Sequence, residues 1–346
     1  MPESRVSRLL LGLLFGVLLV GAGAPAYAAG SELTWGVAPA DGHLGKTRPH
    51  FVYTARPGGR IHDALQVVNL SDRTISLRIY ASDGLTTPIG GLDLLPAGTR
   101  PTDLGAWIKV ARSKVTLAPQ QRMRIPFVVH VPANAGPGDH TGGVVTSLVT
   151  DRASDGVRVD RRLGSRVYLR VRGALHPTLR LSDVRVVHHG TLDPFSSGSA
   201  TVSYTVTNIG NVRLGAHQSV RVSGIAGLLS RVDRLDDLPE LLPGARVQRT
   251  VVVNHVWPGV HLSARLRLDP VPGDDLPAIA VRPVEGEAAT WALPWGQLVV
   301  LAALVAVVFL LLVARRRRKA RVAAAVEEAV SRALESARVS SSEVVD

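Results

Sequence analysis

"RMRIPFVVHVP", residues 122–132, alternates apolar and polar side chains along most of its length. In an extended chain Met123, Ile125, Phe127, Val129 and Val131 fall on one side, and Arg122, Arg124 and His130 on the other. A period of two marks a strand with one face buried and one face wet. The same period returns at Val167, Leu169 and Val171 against Arg166, Tyr168, Arg170 and Arg172. It recurs at Val202, Tyr204 and Val206, and again at Leu262, Ala264, Leu266 and Leu268. Turn-forming clusters separate these runs, and no helix-period stretch of useful length lies between Ala29 and Thr290. The fold class that follows is all-β.

The chain also repeats itself. A strand ends at Asn69 and another at Asn208; a proline turn follows at Pro119 and at Pro243; a valine-rich strand then runs into Pro137-Gly138 and Pro258-Gly259. The offsets are 139, 124 and 121 residues, so the copies differ mainly by insertions in the first. Two short-stranded copies with turn signals at this spacing predict two tandem immunoglobulin-like sandwiches. Their junction falls near Gly173 to Pro177, which divides the exported region into 29–173 and 174–290.

Both ends of the chain are apolar, for different reasons. Arg5 and Arg8 precede an apolar run from Leu9 to Val20, and Ala26-Tyr27-Ala28 offers a cleavage site, so residues 1–28 read as a secretory signal peptide. Residues 291–314 carry no charge over 24 positions, long enough to span a hydrocarbon core of roughly 30 Å. Trp291 and Trp295 stand where an interfacial aromatic belt belongs, and Arg315, Arg316, Arg317, Arg318 and Lys319 follow the span directly. That basic cluster predicts a cytoplasmic tail, 315–346, and a single-pass protein of the cell membrane with its sandwiches outside. In the tail, Val322, Val326, Val330 and Leu334 recur every four residues, an amphipathic helix.

An exported chain without cysteine has no disulfide to staple it, so apolar burial must hold each sandwich together. The net charge is +12, carried almost wholly by arginine, with four lysines in the chain. Export argues against nucleic acid as the partner; an anionic wall polymer is the alternative neighbour, beside an arginine-rich surface without a specific role.

"PANAGPGDHTGG", residues 132–143, carries two prolines, four glycines and an Asp139-His140 pair. Read against phosphate-binding fingerprints, it has Thr141 where a dinucleotide loop needs glycine and Val144 where a P-loop needs lysine. It therefore reads as a turn between strands, with Pro137, Gly138, Gly142 and Gly143 setting the backbone and Asp139 bonding the loop's own amides. Asp139 and His140 are candidate binding residues, although neighbours on a strand point apart. Trp107, followed by Ile108-Lys109-Val110 with strand alternation, is either a core tryptophan or a carbohydrate-stacking platform. Asp233, Asp236, Asp237 and Glu240 form a charged loop or, less simply, a cation site. The chain has no Gly-x-Ser-x-Gly, no His-Glu-x-x-His and no cysteine nucleophile; His188-His189 and the pair His255/His261 lack a carboxylate at ligand spacing, and Asp139-His140 offers at most half of an acid-base or metal site. No enzyme, cofactor or metal is expected.

"GGRIHDALQVVNLSDRTISLRIYASDG", "PTDLGAWI", "VTLAPQQRMRIPFVVHVPANAGPGDHTGGVV" and "RVYLRVRG" together resemble the peptidoglycan-binding domain of the WxL-interacting protein family. The similarity covers residues 33 to 172. It implies a non-enzymatic, membrane-anchored adaptor of Gram-positive type, its first domain on the wall and its second on a partner surface protein; the arginine- and alanine-rich composition points to an actinobacterial source. The competing readings are a receptor for a small ligand and a wall-polymer hydrolase.

Overall fold

The computed structural model describes residues 33–148, 160–191, 193–224, 230–273 and 281–342. The expected signal segment, 1–28, lies outside these residues. Strands dominate and assemble into two sandwiches.

In the first sandwich one sheet runs β1 (Trp35–Pro39), β3 (Arg60–Asn69), β8 (Arg122–His130), β6 (Ile108–Val110). The facing sheet runs β2 (Phe51–Ala55), β10 (Arg162–Val171), β9 (Gly138–Leu148), β4 (Ile75–Thr86), β5 (Leu92–Leu94), with β7 (Lys114–Leu117) also on β4. A single turn of helix, α1 (Leu104–Trp107), leads into β6. The alternation read from residues 122–132 is the cause of this arrangement. Ile125, Phe127, Val129 and Val131 are buried, and Phe127 meets the Phe51 ring edge-on at 5.0 Å across the two sheets. Each such side chain contributes ~1.5–3 kcal/mol on burial, and with no cysteine in the chain this burial is the main source of stability.

β1 and β2 follow one another in sequence yet pair in different sheets. β1 is antiparallel to β3, and β2 is parallel to β10. The switch is held by Arg48, which donates to both carboxylate oxygens of Asp63 on β3 and to the Ala40 carbonyl. Tyr53 donates to the same carboxylate at 2.7 Å. Burial opposes the Asp63 charge, but the Arg48 and Tyr53 hydrogen bonds outweigh it and hold the carboxyl below its ordinary range.

The second sandwich packs β11 (Leu179–His189), β12 (Gly198–Asn208), β15 (Arg246–Val256) against β14 (Arg231–Leu241), β13 (Leu214–Ser223), β16 (Val260–Pro272), β17 (Val284–Ala292). Val202, Tyr204 and Val206 from one sheet meet Leu262, Ala264, Leu266 and Leu268 from the other in a core separate from the first. The two copies share a device that the repeat only hinted at. Asn69 accepts from the Ser71 N–H and donates to the carbonyls of Arg73, Leu117 and Ala118. Asn208 accepts from the Gly210 N–H and donates to the carbonyls of Val212 and Leu241. Both are fully buried. In each sandwich one amide thus ties a strand end to the proline turn of the facing sheet.

β17 continues through Ala292, and α2 (Trp295–Ser342) begins after Leu293-Pro294. Trp291, expected at the head of the span, therefore stands on the last strand. α2 is one helix carrying the apolar run, the basic cluster and the exposed Val322, Val326, Val330 and Leu334; it is long and apolar enough to cross a membrane.

Candidate functional site

The stretch expected to be a loop is half strand. β9 already starts at Gly138, so Asp139 and His140 are successive strand residues and leave the sheet in opposite directions. Asp139 faces the second sandwich. Its carboxylate accepts from Arg170 Nε and Nη2 at 2.7 and 2.9 Å and from the Arg213 backbone N–H at 2.9 Å, while its own N–H donates to the Asn211 carbonyl at 2.8 Å. The expectation that Asp139 bonds its own loop's amides is corrected here: the amide it takes belongs to the other sandwich. The carboxylate is 3 % exposed, and Arg213 beside it 2 %. Arg213 also lies over the Tyr168 ring at 3.7 Å and donates to Glu240 at 2.9 Å. Asn211 donates to the carbonyls of Pro137 and Ala174 and accepts from the His176 N–H. These bonds join β9 and β10 of one sandwich to the turn before β13 of the other. They form an elbow with paired charges, which is the condition under which buried charge is tolerated.

Gly138 belongs to this elbow. Its φ is +122°, and a Cβ there would overlap the Asn211 carbonyl. Gly142 and Gly143 have a different reason: neither has positive φ, but a Cβ on Gly142 would sit 2.7 Å from the Ser82 carbonyl oxygen and one on Gly143 would enter the Leu94 side chain. Pro137 packs on Gly173 at the domain junction.

His140 faces the other way. Its Nδ1 is 2.6 Å from Asp103 Oδ1, its Nε2 is 3.0 Å from the Gly136 carbonyl oxygen, and its ring lies 4.6 Å from that of Trp107. Burial opposes a charge on the ring, yet the acceptors Asp103 and Gly136 outweigh it and raise the pKa. Both ring nitrogens are thus engaged by oxygens of the same sandwich. The Asp103 loop is itself seated by buried Asp83, which accepts the N–H groups of Thr102, Asp103 and Gly105. Trp107 is half-buried against the first core. Of the three candidate binding residues, then, Trp107 and His140 come together and Asp139 does not join them.

The β4–β5 hairpin reaches across the elbow. Thr86 Oγ1 accepts from the Leu242 N–H at 3.3 Å, and Gly90 packs on Pro239. On one side of the hairpin lies a cleft of about 630 Å³ lined by Thr86, Pro88, Arg185, Thr205, Arg246 and Gln248. On the other lies a smaller cleft of about 320 Å³ beside His50, Arg166, Tyr168 and Arg213. A third feature is an edge. β9 pairs with the whole of β10, but β2 pairs only with Val167–Val171. Among the described residues none pairs with the outer edge of 162–166. Leu163 stands there in the phase of the core residues Val167 and Leu169, yet is 41 % exposed.

The acidic residues are distributed: Asp233 pairs with Arg231, Asp237 with His217 and Glu240 with Arg213. Among the described residues no three His, Asp or Glu side chains are grouped to hold a metal ion. Trp291 and Trp295 are exposed, as are Arg315, Arg316, Arg317, Arg318 and Lys319 on α2. Sequence reasoning passed over Arg170, Asn211 and Arg213, because each occupies an ordinary outward or turn position. Only the meeting of two sandwiches gives them partners.

No family model matches the chain, and no curated protein does. Solved structures of similar fold include a chaperone–tip adhesin complex of CFA/I fimbriae (9 % identity, 73 % of this chain and 98 % of that one, TM-score 0.39). Others are the class 5 fimbriae chaperone CfaA (11 %, 73 % and 98 %, 0.36) and the Pseudomonas aeruginosa CupB2 chaperone (12 %, 71 % and 99 %, 0.29). The likeness is one of fold alone. The resemblance to the WxL-interacting family does not stand against these findings, and with it go the Gram-positive setting and the peptidoglycan-contacting adaptor role. The physical reason lies in the motif. Its proline, glycines and aspartate are accounted for by a left-handed turn, close sheet packing and an elbow between sandwiches.

Proposed function

We propose that the chain is an exported, membrane-tethered binding protein without catalytic machinery, which takes an extended polypeptide as an added strand on the free half-edge of β10. The observation that carries this reading is the unpaired outer edge of Arg162–Arg166 beside an exposed Leu163. An open edge presents backbone donors and acceptors ready for a further strand. The link before β2 is drawn off toward β3 by Arg48, which supports the edge being open. Arg162 and Arg166 flank it, and like charges discourage two copies of this edge from pairing with each other. A guest strand would place every second side chain toward Leu163, so its apolar residues alternate.

Several features support the rest of the reading. Both nitrogens of His140 are committed to acceptors, in keeping with a protein that carries out no chemistry. The separate cores support a division into 29–173 and 174–290. The apolar first part of α2 supports an anchor, and the cluster from Arg315 to Lys319 supports an outside sandwich pair with an inside tail. Protein is the class of partner proposed here on the edge alone.

The test uses full-length protein in lipid nanodiscs and synthetic ten-residue peptides of alternating valine and threonine. Backbone N-methylation at alternate residues blocks one edge of such a peptide and leaves the other. Binding should survive one methylation phase and be lost in the other, and Leu163→Asp should weaken it about tenfold or more. Equal binding in both phases, or no binding of any extended peptide, overturns the reading.

A further inference from the structure

The chain has five tryptophans; Trp35 and Trp107 serve the first sandwich, and the other three, Trp257, Trp291 and Trp295, gather at one end of the second. That end is where the chain leaves for α2. The turn carrying Trp257 joins β15 to β16; the residue before it, Val256, pairs with Gly198, and Val260 just after it pairs with Ala292, three residues before the helix. The chain enters and leaves this turn through left-handed residues, His255 at φ +61° and Val260 at φ +65°, which turn Trp257 out of the sheet. On the adjoining turn Phe195 is 84 % exposed, the most exposed large hydrophobic residue among the described residues. Its backbone is ordered by the Phe195 N–H bond to Asp193 Oδ1, and Thr191 Oγ1 donates to the Asp193 carbonyl. Trp257 is 41 % exposed, Leu293 41 %, Trp291 72 % and Trp295 62 %. In a chain where aromatic residues are 4 % of the total, this gathering is not a matter of composition.

One hydrogen bond sets the level of these side chains. Gln297 Nε2 donates to the Pro194 carbonyl at 2.8 Å, tying the Phe195 turn to the first turn of α2. From Trp295 to Ala314 the helix is uncharged over about 20 residues, which at 1.5 Å rise gives about 30 Å, the thickness of a hydrocarbon core. The outer boundary of that core therefore falls at about Trp295, and Gln297 lies roughly 3 Å further in along the axis. A residue held against Gln297 therefore lies at about the level of that boundary. Aromatic side chains are favoured at that level because an apolar ring with a polar edge suits the headgroup boundary.

We propose that the second sandwich is seated directly on the outer leaflet, with Phe195 and Trp257 from its loops joining Trp291 and Trp295 in an aromatic collar at the headgroup level. This rests on α2 crossing the membrane. The seat fixes the height and tilt of the sandwich pair above the bilayer, which a lone span with a free two-residue link would leave undetermined.

The absence of native cysteine makes site labelling clean. Full-length protein is reconstituted in phosphatidylcholine vesicles with a nitroxide at Ser197→Cys beside Phe195, at Ile89→Cys on the exposed hairpin tip, or at Leu298→Cys in α2. Relaxation by oxygen, which concentrates in lipid, is compared with relaxation by a water-soluble nickel chelate. The label at 197 should favour oxygen several-fold relative to that at 89, and the double change Phe195→Ser, Trp257→Ser should abolish the difference. If 197 matches 89 while 298 reports lipid, the collar is wrong and the anchor stands. If 298 reports water, the anchor fails and the collar with it.

Discussion

Asp139 and His140 are adjacent in sequence and serve opposite sides of one strand: the first latches Arg213 of the neighbouring sandwich, the second pins Asp103 and the Trp107 turn within its own. Strand pleating alone produces this division, because successive side chains leave a strand on opposite faces. One dipeptide thereby couples the elbow to the loop that precedes β6.

Removing the latch should loosen the elbow before it unfolds either core. Asp139→Ala leaves Arg170 without its carboxylate and Arg213 with Glu240 alone, and breaking a buried pair typically costs ~3–5 kcal/mol. Spin labels placed in each sandwich should show a narrow distance distribution in the parent and a broad one in the variant. An unaltered distribution with an unaltered melting temperature would falsify the latch.

Glycine changes in β9 should act by two mechanisms. Gly138→Val meets both a left-handed φ and the Asn211 carbonyl, so it should destabilise by well over the ~1 kcal/mol of the backbone term alone and also open the elbow. Gly142→Ala meets only the Ser82 carbonyl within its own sandwich, and should lower the melting temperature with the elbow distances unchanged. If both variants left the melting temperature in place, close packing at these positions would be excluded.

Stability should depend on pH with two opposite slopes. The folded pKa of His140 is raised, so its contribution is fully present below the ordinary histidine value near 6.5 and is lost as pH rises through the folded value. The folded pKa of Asp63 is lowered, so its contribution is present above the ordinary carboxylate range and is lost as pH falls through the folded value. Melting temperatures measured from pH 3 to 9 should lose the alkaline slope in His140→Gln and the acid slope in Asp63→Asn. A His140→Gln profile parallel to the parent's would show that the ring is not charged in the fold.

The paired asparagines should behave alike in the two sandwiches. Asn69→Ala and Asn208→Ala each strand buried carbonyls, at about 1–3 kcal/mol apiece. Aspartate should be worse than alanine, since a carboxylate cannot donate to the carbonyls of Leu117 or Leu241 and would bury a charge against them. Denaturant titration of each variant, with a spectroscopic probe in each sandwich, checks both the size and the confinement of the effect to one core.

Much of the fold was legible at the level of single strands. The alternation at residues 122–131 returned as burial of Ile125, Phe127 and Val129 because a half-buried strand needs nothing beyond its own period to choose a face. The asparagine at each strand end was visible as a repeat, though not as the amide that ties the strand to a proline turn. The candidate site was legible only in part. Gly138 could be read as a turn residue from its proline neighbour. The role of Gly142 and Gly143 could not, because it depends on Ser82 and Leu94, some fifty residues or more away in the chain. The resemblance to a wall-binding family misled for the same reason, since residues kept for packing look like residues kept for a ligand.

Local period and composition dictate strands that bury one face, an apolar run of spanning length closed by arginines, and a fold that must hold without disulfides. Where Asp139 points, the burial of Arg213 beside it, and the lack of a second neighbour for Arg162–Arg166 among the described residues depend on the tertiary structure. The physical reason is separation along the chain. Arg213 lies 74 residues beyond Asp139, and the half-open edge of β10 exists because β2, more than a hundred residues earlier, stops short of it. Hydrophobic period is written into a few consecutive residues, whereas the pairing of buried charges and the ending of sheets are set by which distant segments arrive at the same place.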